Sequence, residues 1–188
     1  MGNFRVPIDP FTLTYQDIFL FKPLYRTTHQ WLMEANFTDE TGKGENWEEF
    51  YIHKENGPVY EINFRWKTRK GSKTKGVYYI MFVEFLLIAG SVEERIIDGR
   101  KVKGETGEVT IRINSFIEVE NADWDESSFL AQVKHRTFRR HHREIMHQLK
   151  AYYYGQAKGL FEMLKQYLET KAAFKGQEDM LHQKFDQI

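Results

Sequence analysis

The stretch from Val77 to Ala89 reads VYYIMFVEFLLIA, thirteen residues in which Glu84 carries the sole charge. Its aromatic and β-branched content suits a strand better than a helix. Side chains of a strand alternate between its two faces. Val77, Tyr79, Met81, Val83, Phe85 and Leu87 therefore point one way, and Tyr78, Ile80, Phe82, Leu86 and Ile88 the other. Both sets are apolar, so something must cover each face: a helix, another subunit or a bound apolar ligand. A membrane-spanning helix needs about 20 apolar residues, so no membrane span is expected here.

The neighbouring segments are one-sided. Tyr60, Ile62, Phe64 and Trp66 alternate with Glu61, Asn63, Arg65 and Lys67, and Val109, Ile111, Ile113, Ile117 and Val119 alternate with polar residues. A period of two with one apolar set predicts strands with one buried and one wet face. Asp98-Gly99, set between Val92–Ile97 and Lys101–Glu105, is a tight-hairpin signal, since both residue types tolerate positive φ. An antiparallel meander of four to five strands is expected over residues 48–120, with Glu49–His53 as an edge strand and the basic run 67–76 as a loop.

Helices are expected on both sides of the meander. Residues 1–14 read as an irregular lead-in, because Pro7 and Pro10 bar a helix there. Thr14 and Asp17 suit a helix start, and Ile18, Phe21, Leu24 or Tyr25, Trp31 and Leu32 recur at helical spacing over residues 15–36, with Pro23 as a kink or a divide between two short helices. A second stripe runs through Phe138, Ile145, Leu149, Tyr152, Leu160, Met163 or Leu164, and Tyr167 or Leu168 over residues 124–172, before a polar tail at 173–188. One straight helix from Glu126 to Lys171 would be about 69 Å long. A compact domain of this size is about 40 Å across. A break is therefore expected at Gly155 or Gly159, the residues that cost a helix interior most here. The fold predicted is a single α+β domain: an N-terminal helical segment, the meander, and a long, kinked C-terminal helix packed on the sheet.

Composition removes whole classes of chemistry. The chain has no cysteine, which excludes disulfides, thiolate metal sites and thiol catalysis. Lys plus Arg equals Asp plus Glu at 27 each, so an anionic partner would have to be held by a local patch rather than a global field. The first ten residues lack the charged-then-apolar layout of a secretory leader, and a cytoplasmic protein is expected. GxSxG, Walker and HExxH patterns are absent. No catalytic residue and no cofactor are assigned.

Several pieces together carry a likeness. Tyr25-Arg26 with Trp31-Leu32, the hairpin from Asp98 to Glu105, the strand from Gly107 to Ile113, and the aromatic, basic C-terminal helix resemble a group of small uncharacterised archaeal proteins across residues 15–170. The His-rich run at 141–147 departs from that group. The resemblance implies a cytoplasmic, archaeal-like protein and supplies no catalytic residue.

Two basic clusters are candidate anion sites. Lys134, Arg136, Arg139, Arg140 and Arg143 fall within three helical turns, and Lys70, Lys73 and Lys75 lie in the expected loop. Each reads either as a surface for a phosphate-bearing partner, nucleic acid or an anionic surface, or as a solvated face paired with acids of the same chain. His142 and His147 are five residues apart, about 140° around a helix, and His141 with Glu144 offers two ligands, so no metal site is assigned. Glu84 is expected to pair with Arg65, Arg95 or Arg112. The two-faced strand makes Tyr78, Phe82 and Leu86 the candidate interface or ligand-facing residues. The leading expectation is a self-associating, non-enzymatic interaction protein; a helix-grip-like carrier of a small apolar ligand and a nucleic-acid-binding module are the alternatives.

Overall fold

The structure, a computed structural model, describes residues 4–39, 47–72, 77–97, 100–119 and 143–169. Among them are β1 (Phe4–Phe19), α1 (Phe21–Glu34), β2 (Glu48–Asn56), β3 (Val59–Ser72), β4 (Val77–Ile97), β5 (Arg100–Val119) and α2 (Arg143–Glu169). The strands form one antiparallel sheet in the order β1-β5-β4-β3-β2. The class is α+β. β2 to β5 make the expected meander, and β1 returns to lie beside β5.

The alternation read from the sequence fixes the phase of the sheet. Phe64 pairs with Phe85, Phe85 with Ile111, and Ile111 with Leu13. Residues opposite one another in a ladder share a face, so these side chains line one side. Both helices pack there. Leu24 and Leu32 of α1 and Ala157, Leu160, Leu164 and Leu168 of α2 are buried against it. Tyr153 of α2 stacks on Tyr79 of β4 at 4.3 Å between ring centroids. Tyr25 of α1 meets Trp66 of β3 edge-on at 4.7 Å. Ile62, Phe64, Trp66, Val109, Ile111, Ile113 and Ile117 are all buried, and Tyr60 is half-buried at the margin.

The N-terminal region departs from expectation. Residues 4–19 are a strand, not an irregular lead-in followed by helix. Proline is tolerated on an edge strand, where its missing N–H faces outward, or at a bulge. β1 is an edge, and its register slips between Ile8 and Phe11, across Asp9-Pro10. Thr14 caps no helix; its hydroxyl meets that of Thr110 across the strands at 3.2 Å. The helix begins at Phe21, and Leu20 in the capping position supplies no side-chain bond. Glu105 takes over that role from β5, its carboxylate accepting the Phe21 N–H at 3.0 Å. Pro23 then falls in the first turn, where the lost donor has no intrahelical partner anyway, so it produces no divide.

The basic run is shorter as a loop than predicted. β3 continues through Lys67 to Ser72, which pairs with Val77. α2 runs unbroken through Gly155 and Gly159. Its 27 residues span about 40 Å, the width of the domain, so this length requires no break. Gly159 lies where α2 passes α1: a Cβ there would lie 3.4 Å from the Trp31 ring. Ile97 pairs with Arg100 on either side of Asp98-Gly99. Those two residues, residues 124–142 of the expected long helix and the tail 173–188 lie outside the described residues.

Candidate interaction surface

The opposite sheet face is built from the outward positions of the same strands. β4 contributes Tyr78, Ile80, Phe82, Glu84, Leu86 and Ile88, and both described helices lie on the other side. Exposure rises along this row. Tyr78 is 4% exposed, Phe82, Glu84 and Leu86 are half-buried, and Ile88 is 44% exposed. Register places Ile52 of β2 and Asn63 of β3 beside Leu86. Phe116 of β5 lies next to Phe82, with ring centroids 6.0 Å apart.

Charged side chains thread between these apolar groups. Glu84 lies 3.8 Å from Arg112 and opposite Arg65 in register, as the sequence led one to expect. Arg65 bonds Glu49 at 2.7 Å and lies over the rings of Phe50 and Phe82. Arg5 bonds Glu118 at 2.7 Å and lies over Phe116. Arg69 covers the Tyr78 ring at 3.3 Å. Guanidinium groups over aromatic faces gain cation–π attraction. The face is thus a mosaic of aromatic rings and internally paired charges.

Of the residues singled out from the sequence, Tyr78, Phe82 and Leu86 share one strand and one face. Lys70 sits on the helix side. Its ammonium donates to the Ala35 carbonyl at 2.7 Å and to Gln156 at 3.4 Å, tying the end of α1 to α2. A cation at the C-terminal end of a helix also complements its dipole. Lys73, Lys75, Lys134, Arg136, Arg139 and Arg140 lie outside the described residues, as do the side chain of Arg143 at the start of α2 and those of His141, His142 and Glu144. Among the described residues, no group of three His or acidic side chains is placed to hold a metal, and no helix is long and apolar enough to cross a membrane. Tyr152, placed on the apolar stripe by its spacing, is exposed, and the neighbouring Tyr153 fills the core instead.

A second cluster was not singled out from the sequence. Tyr25 and His29, four apart on α1, face Trp47 and Trp66. The Tyr25 hydroxyl donates to Glu48 at 2.7 Å, and burial with that neighbouring carboxylate holds the phenol above its ordinary pKa. The His29 ring lies tilted against Trp47 at 4.4 Å between ring centroids, and burial lowers its pKa. Tyr25 and His29 obey the i, i+4 rule, a signal that the sequence did carry. Deeper in the core, burial raises the pKa of Tyr79, an effect the Ser115 hydroxyl partly offsets.

No protein-family model matches the chain, and no curated protein matches it. A solved structure described as a delta-endotoxin is similar at 11% identity, over 63% of this chain and 63% of that one, with a TM-score of 0.36. A likeness at that level carries no argument here.

Proposed function

We propose that this chain is a non-enzymatic assembly protein that self-associates through the open face of its sheet. One observation carries the reading: Phe82, Leu86 and Ile88 lie on the sheet face opposite both described helices. Covering a large apolar side chain is worth roughly 1.5–3 kcal/mol relative to full exposure. A two-fold related copy would supply the cover with the same residues. Light scattering at micromolar concentration tests this. A dimer or higher species is expected, with Leu86→Asp and Phe82→Asp shifting it to monomer while circular dichroism keeps the wild-type form. A wild-type monomer over that range would end the reading; a monomer carrying an apolar small molecule in native mass spectrometry would favour the carrier instead.

The basic run from Lys134 to Arg143 belongs to the same proposal as a separate surface for a phosphate-bearing partner. Replacing Arg139, Arg140 and Arg143 by Glu is expected to abolish salt-sensitive retention on heparin without changing the oligomer. Unchanged retention would remove this part alone.

A further inference from the structure

α2 carries a row of residues three or four positions apart: His147, Lys150, Tyr154, Lys158 and Phe161. That spacing keeps them on one side of a helix. Tyr154 and Phe161 both meet the Phe11 ring of β1, at 5.3 and 5.2 Å between centroids, so the row runs along the β1 side of α2. β1 is an edge of the sheet, and among the described residues no strand lies beyond it. His147 and Lys158 are exposed, Tyr154 is 37% exposed and Lys150 is half-buried.

The two lysines of this row differ from the cations described above. Arg5, Arg65 and Arg112 face carboxylates on the open side of the sheet, Lys165 lies 3.8 Å from Glu169, and Lys70 is held by the Ala35 carbonyl. Among the described residues, Lys150 and Lys158 form no ion pair. No acid falls within the row; Asp9 at the β1 bulge and Glu162 beside Phe161 are exposed, where water and salt screen them. Each four-residue step rises about 6 Å along the helix. A cation, an aromatic ring and a second cation therefore follow one another over about 12 Å. Such a track suits a strand whose phosphates meet the cations while a base stacks on the ring. Duplex bases are already stacked, whereas those of a single strand are free to splay onto a side chain. An anionic membrane suits it less. An interfacial helix sinks its apolar face into lipid, and that face of α2, with Ala157, Leu160, Leu164 and Leu168, is buried on the sheet.

We propose that this side of α2 binds single-stranded nucleic acid, with Lys150 and Lys158 on backbone phosphates and the Tyr154 ring as the platform for a base between them. The inference rests on the reading of Lys134 to Arg143 as a surface for a phosphate-bearing partner, since that run leads into α2, which begins at Arg143; it adds the class of partner. The row lies on the helix side of the sheet, so self-association through the open face leaves it accessible.

The test is fluorescence anisotropy on the full chain with a labelled single-stranded oligothymidylate of about 15 nucleotides, beside a duplex of the same length, a heparin column and phosphatidylserine vesicles. The wild type should bind the single strand more tightly than the duplex. Tyr154→Leu, which keeps an apolar contact for Phe11, should weaken that binding about fivefold or more, the loss expected for one stacked base. It should leave heparin retention unchanged, because heparin has no base to stack. Tyr154→Phe keeps the ring and should stay within about twofold of wild type. Lys150→Gln and Lys158→Gln should each flatten the log–log salt slope by about 0.7. Circular dichroism confirms that each variant keeps the wild-type fold. If Tyr154→Leu and both lysine variants bind the single strand as wild type does, while replacing Arg139, Arg140 and Arg143 by Glu abolishes binding, this inference falls and the reading of the basic run stands. Heparin retention without single-strand binding has the same consequence. Binding to the vesicles and not to the oligonucleotide puts a lipid surface in place of nucleic acid and overturns the inference. A wild type that holds neither oligonucleotide nor heparin overturns both readings.

Discussion

Phe64 shows how a single side chain organises this core. It is fully buried, stacked on Phe85 at 4.6 Å and 9° between planes, and touched by Phe21 and Tyr25 of α1. Phe64→Ala should cost about 3–5 kcal/mol, through lost transfer energy and the cavity left behind, read as a fall in the urea midpoint. Gly107 is constrained oppositely. A Cβ there would meet the Ile88 carbonyl and lie 2.7 Å from the Ala89 Cα, both backbone atoms that cannot turn aside. Gly107→Val should therefore destabilise by about 1–3 kcal/mol. His29 adds a pH dependence. Burial holds its pKa below the ordinary 6.5, so below that pH the unfolded chain binds a proton that the folded one resists. The stability contributed by neutral His29 is complete above pH 6.5 and is lost as pH falls through that value towards the lower folded pKa. His29→Phe should flatten this part of the urea-midpoint profile between pH 7.5 and 5.5; an unchanged slope would assign it to another group. The inward set at Ile62, Phe64 and Trp66 was legible from alternation alone. The pairing of His29 with Trp47 was not, because it joins residues far apart in the chain, which periodicity does not see.

The elements divide between those that follow local pattern and those set by tertiary context. β3, β4 and β5 follow from alternation, and β2 was foreseen as a short edge. β1 was not, because Pro7 and Pro10 count against regular structure until one knows that the strand is an edge with a bulge at Asp9-Pro10. The start of α1 was misplaced for a related reason: its cap comes from Glu105, 84 residues along the chain, and no local signal reports it. Glu105→Ala should then destabilise α1 by about 1 kcal/mol, the usual cost of a lost N-terminal cap. Faster amide exchange in residues 21–24, with the sheet protected as before, is the expected signature. Equal loss of protection in β5 would show instead that Glu105 mainly supports the sheet. Lys70 was grouped with an anion-binding loop on charge alone; the continuation of β3 to Ser72 turns it towards the end of α1.

At the scale of the whole molecule, the described residues form two layers with both described helices on one side, and this asymmetry governs how stability should depend on concentration. α1 and α2 cover the side lined by Phe64, Phe85 and Ile111, while Phe82, Leu86 and Ile88 face away from them. The two-faced character of β4 was legible in the sequence, but which face the helices would take was not, since both sets are similarly apolar. If self-association completes the burial, folding and assembly are linked, and stability inseparable from concentration follows. For a folded dimer in equilibrium with unfolded monomers, each tenfold rise in protein concentration should stabilise the dimer by about 1.4 kcal/mol. Wild type should therefore show a melting temperature that climbs with concentration across the micromolar range. Leu86→Asp should melt at one temperature throughout, and below wild type at every concentration where the dimer forms. A concentration-independent wild-type melt, together with a single monomeric mass, would mean that the helix layer alone stabilises the fold and that the open face contributes nothing to it.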